Sequence, residues 1–154
     1  MRRSDSRWKV AMNVAMNDPY RLERFVDAQA PVYPQVCAEL RGGRKTSHWM
    51  WFIFPQIRGL GSSAMAQTFA ISSREEAMAY LLHPVLGVRL RECTRLVTNI
   101  EGKSIDEILG YPDNLKFQSS MTLFAHATQE KEIFLEALKK FFGGMFDSQT
   151  IARL

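Results

Sequence analysis

Hydrophobic positions recur along most of the chain at helical spacing. Leu86, Leu90, Cys93, Val97 and Ile100 fall four, three, four and three residues apart, which is one face of a long helix. Phe117, Met121 and Phe124 mark a second stripe over 114–127. Phe134, Leu138 and Phe141 mark a third over 131–142, with Glu136 and Lys140 as an i,i+4 pair opposite. The punctuation agrees with the stripes. Asp18-Pro19 pairs an N-cap with a proline at the first helical position, ahead of Leu22, Phe25 and Val26. Pro31 stops that helix, and a second runs to Leu40 and ends at Gly42-Gly43. Ser72 or Ser73 with Glu75 or Glu76, and Ser104 with Glu107, read as capping boxes. Ser62 or Ser63 caps a helix-like stretch to Ala70, and Asp147 caps a last turn. His83-Pro84 closes one helix and opens the next, with His83 at a dipole-stabilised C-terminus. No stretch alternates with the period of a half-buried strand. The expectation is an all-α, compact irregular bundle of about eight short helices. It forms a single domain over 18–154, preceded by a basic N-terminal arm at 1–17.

A chain of 154 residues suits one domain, which buries roughly 68–70% of its unfolded surface without a disulfide or metal. With 46% apolar and 23% charged residues, the composition excludes disordered and fibrous classes. The longest apolar run, 49–54, falls far short of the ~20 residues that span a bilayer. The partly apolar stretch after Arg2 and Arg3 is short and interrupted by Asn13, so it is not read as a targeting segment. Two cysteines, Cys37 and Cys93, are too few for a cysteine-rich zinc site and read as reduced thiols of a cytoplasmic protein. No metal or cofactor is expected.

Charge changes the picture more. The formal net charge is +4, but it is unevenly placed. Residues 1–9 sum to +3, 10–39 to −2, 40–91 to +5 and 92–154 to −2. Between Glu39 and Glu75 the chain holds Arg41, Arg44, Lys45, Arg58 and Arg74 and no acid. A positive middle between mildly acidic ends points to a local anion site, not to a DNA-binding surface.

Residues 41–61 read RGGRKTSHWMWFIFPQIRGLG. Arg44-Lys45-Thr46 lacks the glycine that a phosphate loop needs before its lysine. Gly59 to Ala64 matches G-x-G-x-x-G/A, but no partner strands exist and no acid follows at ~20 residues. Those glycines read as a turn before a helix. The remaining reading is a mixed site. Arg41, Arg44, Lys45, His48, Gln56 and Arg58 surround Trp49, Trp51, Phe52 and Phe54. Guanidinium forks bind phosphate bidentately, and aromatic faces stack on bases. The candidate ligand-binding residues are therefore Arg41, Arg44, Lys45, His48, Trp49, Gln56 and Arg58, for a phosphorylated or nucleotide-like small molecule. Trp51, Phe52 and Phe54 are read as core. Asp113, Lys116 and Ser120 share a face of a later helix, and Lys116 joins the ligand-binding set. His126 is expected near an exposed helix end.

Three blocks, GRKTSHWMWFIFPQIRGLGSS, YLLHPVLGVRLREC and LKFQSSMTLFA, in this order, resemble the family catalogued as domain of unknown function 1810. That family includes a mycobacterial member of known structure. The resemblance runs from about Pro19 to Leu154 and implies a mainly helical, single-domain, cytoplasmic protein without an established activity. A fainter similarity is to helical N-glycosidases of NAD-derived and ADP-ribosylated compounds. It rests on His48 and the Lys140-Phe141 pair, with Ser47 where those enzymes carry glutamate. Such hydrolysis would make His48 the catalytic candidate and would need a carboxylate, from Glu39, Glu75, Glu92 or Asp113. A protein-interaction module using the basic arm is the third reading.

Overall fold

The computed structural model describes residues 17–154. Apart from Asn17, the basic arm lies outside the described residues. Ten helices follow: α1 (Glu23–Gln29), α2 (Tyr33–Arg41), α3 (Met50–Ile53), α4 (Ala64–Thr68), α5 (Arg74–Leu82), α6 (Leu86–Thr98), α7 (Ile105–Leu109), α8 (Asp113–Ala125), α9 (Glu132–Phe142) and α10 (Ser148–Ile151). This is an all-helical single domain, with more helices than the eight or so expected. The aromatic run contributes one of them. The single turn of α3 is apolar throughout, so it carries no periodic signal.

The caps act locally as their sequence implies. The side chains of Ser63, Ser73, Ser104 and Asp147 accept backbone N–H groups at the starts of α4, α5, α7 and α10. Ser104 and Glu107 complete a reciprocal box. Asp18 caps α1 from further back, accepting from Leu22 N at 2.6 Å and Glu23 N at 3.1 Å. His83 Nδ1 accepts N–H groups of Val85 and Leu86, at 3.1 and 3.3 Å. At the carboxyl end of α5, the ring thus serves the start of α6 as an acceptor. Lys140 answers the end of α6, donating to the carbonyls of Thr98, its last residue, and of Ile100 just past it, at 2.6 and 2.8 Å.

At the centre, α6 packs against α2, α5 and α9, while α8 packs against α5, α7, α9 and α10. The buried residues of α8 include Phe117, Ser119, Ser120, Met121, Thr122, Leu123 and Phe124. Its small residues let neighbouring helices approach it closely. His126, just past α8, is half-buried rather than exposed, with its ring edge-on to Phe146. The extended segment after α3 meets the approach to α5 in one isolated parallel bridge, Ile57 to Ile71. This bridge fixes the backbone on both sides of Ile57: Ile71 N donates to Gln56 O, and Arg58 N donates to Ile71 O, both at 2.8 Å.

Candidate functional site

The loop between α2 and α3 folds around a carboxylate. Glu39, on α2, is buried. Its Oε1 accepts from Thr46 N at 2.7 Å, Ser47 N at 3.0 Å and Trp49 Nε1 at 3.0 Å. Its Oε2 accepts from Ser47 Oγ and from Gln35 Nε2 at 2.9 Å. Burial alone would raise the pKa of this acid. The bonds from Ser47, Thr46, Gln35 and Trp49 outweigh burial and bring it down to about 2. Glu39 is therefore an ionised anchor with both oxygens occupied.

Lys45, next in the loop, turns toward α8. Its Nζ lies 2.8 Å from Asp113 Oδ2 and 5.1 Å from the centre of the Trp49 ring. Lys116, one turn along α8, lies 3.5 Å from the other oxygen of Asp113 and 5.3 Å from the Trp51 ring centre. Two lysines thus share one carboxylate between two indoles. The Lys45 side chain is only 9% exposed, against 26% for Lys116. Lys45 is the packed member of this cluster, and Lys116 is the one that meets solvent.

Lys116 and Gln56 line a cleft of about 480 Å³, with Leu60, Ser62, Pro112 and Asp147 among the other walls. Its walls mix apolar side chains with one cation, one carboxylate and amides. Asp147 accepts from Ser119, Thr150 N and the Thr150 hydroxyl, all on Oδ2. Sequence reasoning saw Asp147 only as a cap; its place in the cleft depends on a contact with α8 across 28 positions.

The other sequence candidates scatter. Arg41 is exposed and lies 3.7 Å from Glu92 on α6. Arg44 and His48 are exposed on the loop, outside the walls of the Lys116 cleft. His48 forms no hydrogen bond with a carboxylate among the described residues, and Glu39, one of the acids within reach in sequence, is fully engaged. Trp49 is 1% exposed, a core residue tethered to Glu39, so its ring faces are not open for stacking. Phe52 and Phe54 are buried as expected, whereas Trp51 is half-buried beneath Lys116. Arg58 points into a different groove, with Arg21 and Arg24. Lys140, half of the pair that suggested a glycosidase, is engaged with helix-end carbonyls.

Comparison with known proteins gives the family. The model of the family described as protein of unknown function (DUF1810) matches residues 19–154. The chain belongs to this family. The chain is similar in sequence and fold to the conserved hypothetical protein Rv1873 from Mycobacterium tuberculosis, seen in its crystal structure. This chain is 59% identical to it, with a TM-score of 0.88, over 89% of this chain and 98% of that one. No curated protein matches the sequence. Membership therefore supports the fold and leaves the chemistry to the residues. Among the described residues no helix is long and apolar enough to cross a membrane.

Proposed function

We propose that this DUF1810 protein binds a small anionic, nucleotide-like molecule in the cleft between the 56–63 loop and α8. The carrying observation is the Lys45–Asp113–Lys116 cluster. Two cations share one carboxylate, so Lys116 is only partly answered by Asp113, and this more exposed lysine stands at the cleft, where Asp147 is the carboxylate of the walls. An anionic group seated there would gain a charge-assisted bond from Lys116. The apolar walls at Leu60 and Pro112 suit the flat or aliphatic part of such a ligand, and Gln56 offers an amide for its polar edge.

The test is thermal unfolding with AMP, ADP and ADP-ribose at millimolar concentration. Binding raises Tm, and Lys116→Met removes the rise while Arg44→Ala retains it. No rise with any of the three, or a rise unchanged in Lys116→Met, defeats the proposal.

A hydrolytic reading has one observation in its favour, the carboxylate of Asp147 in the same cleft. Among the described residues its hydrogen bonds reach Oδ2 alone, so Oδ1 is available to orient a water against a glycosidic carbon. In this reading Asp147 supplies the carboxylate expected of Glu39, Glu75, Glu92 or Asp113, and His48 has no part in it. Release of nicotinamide from NAD, with ADP-ribose as the other product, or of adenine from ADP-ribose, lost in Asp147→Asn, supports it; no release counts against it.

A further inference from the structure

The groove between the start of α1 and the 67–72 segment is separate from the Lys116 cleft, and its charge has a different origin. Three arginines line it, Arg21, Arg24 and Arg58, against one carboxylate, Glu76, around a volume of about 490 Å³. Arg24 and Glu76 satisfy each other and the backbone. All five N–H groups of Arg24 are engaged: Nε with Thr68 O at 3.0 Å, Nη1 with Tyr20 O and Arg21 O at 2.6 and 3.0 Å, Nη2 with Ala70 O and Glu76 Oε2 at 2.9 and 2.8 Å. The other Glu76 oxygen accepts from Ser72 N and Ser72 Oγ, at 2.9 and 2.7 Å. This pair forms the floor of the groove, and Arg24 has no donor left for the rim.

The rim is Arg21 and Arg58. Both are exposed, and neither forms a salt bridge among the described residues. Arg58 is held by the Ile57–Ile71 bridge, its own N–H bonded to Ile71 O. Arg21 sits at φ +54°, a left-handed conformation uncommon for a residue with a side chain. Asp18 fixes that turn: its carbonyl accepts Arg21 N–H, and its carboxylate caps α1 one residue further on. The fold thus places two guanidinium groups, each on a constrained backbone, along one groove whose only carboxylate is already neutralised.

We infer that this groove is a second binding site, specific for a phosphate or phosphomonoester dianion held between the guanidinium groups of Arg21 and Arg58. Two forks meet the several equivalent oxygens of a tetrahedral dianion, and the charge excess of two matches its charge. A carboxylate or a neutral sugar has no such match.

Titration with inorganic phosphate, followed by backbone amide shifts in NMR, tests the inference. The expected result is saturable movement of amides at 20–24, 58 and 67–72, weakened by added salt. Arg58→Gln lowers affinity roughly tenfold or more, as loss of a charge-assisted pair requires. Arg21→Gly does the same, and the variant folds because glycine accepts the positive φ freely. Lys116→Met, which disables the proposed nucleotide cleft, leaves these phosphate shifts unchanged, so failure of one site is distinguishable from failure of the other. Absence of movement at those amides at millimolar phosphate overturns the inference. So does a double Arg21→Gly, Arg58→Gln variant that binds phosphate as tightly as the native chain.

Discussion

Glu39→Gln is the most informative single change to the fold of the α2–α3 loop. It preserves volume and removes the charge that five donors converge on. The carboxyl pKa falls from 4.5 to about 2 on folding, and each unit corresponds to about 1.4 kcal/mol. The ionised form is thus favoured in the native state by about 3 kcal/mol. The amide variant keeps one acceptor oxygen and loses the charge assistance on every bond. Its expected deficit at pH 7 is about 2–3 kcal/mol in urea unfolding followed by far-UV circular dichroism.

The sign of the pH dependence follows from the direction of the shift. A group whose pKa is depressed on folding contributes stability in full above its unfolded pKa, and this is lost as pH falls through the folded value. For Glu39 that window runs from about 4.5 down to about 2. The native chain therefore loses about 1.4 kcal/mol of this contribution by a pH one unit below 4.5. The Gln variant does not, and the gap between the two proteins narrows with acid. Glu107, whose pKa is also lowered by its bonds to Ser104, is present in both proteins and cancels in the difference. A Gln variant within about 0.5 kcal/mol of the native chain at pH 7, the scatter of ordinary surface changes, refutes the reasoning. A gap that stays constant from pH 7 to pH 3 refutes it equally.

Two further outcomes follow from packing. A Cβ at Gly87 would lie 2.1 Å from the carbonyl oxygen of Leu81, so Gly87→Ala should cost more than about 2 kcal/mol in urea unfolding, despite alanine's better helix propensity. Burial, with Cys37 nearby, pushes the Cys93 thiol up to about 12, so in the native protein it should stay almost unreactive toward a disulfide reagent at pH 8 and react fully once unfolded.

Much of the fold was legible because its signals are local. The stripe from Leu86 to Val97 lies wholly on one buried face of α6, and Ser63, Ser73, Ser104 and Asp147 cap helices within three residues of themselves. Features that depend on distant partners were not legible. Arg24 clamps Thr68 and Glu76 across 44 and 52 positions, and nothing near residue 24 distinguishes it from a solvated arginine. Among basic neighbours Trp49 reads as a ligand residue from sequence; Glu39, ten positions earlier, takes its indole N–H into the core. Of the eight ligand-binding candidates, Gln56 and Lys116 line one cleft. The rest of the basic segment disperses over separate faces of the domain.

That dispersal bears on how a run of bases should be read. The acid-free stretch between Glu39 and Glu75 suggested an anion site because no local carboxylate could neutralise it. Folding supplies carboxylates from the acidic segment 92–154: Glu92 reaches Arg41, and Asp113 reaches Lys45. These two bases take structural roles. Arg58 receives no such partner among the described residues; Arg21 lines the same groove, with Glu76 already paired with Arg24. The positive excess therefore collects where tertiary pairing leaves arginines over, not where the sequence is most basic. A base within the run becomes a ligand group only if the far half of the chain fails to answer it. By that criterion Arg58 and the exposed Arg44 stay open to an anion, Arg41 and Lys45 do not, and Lys116, which lies outside the run, is only partly answered by Asp113.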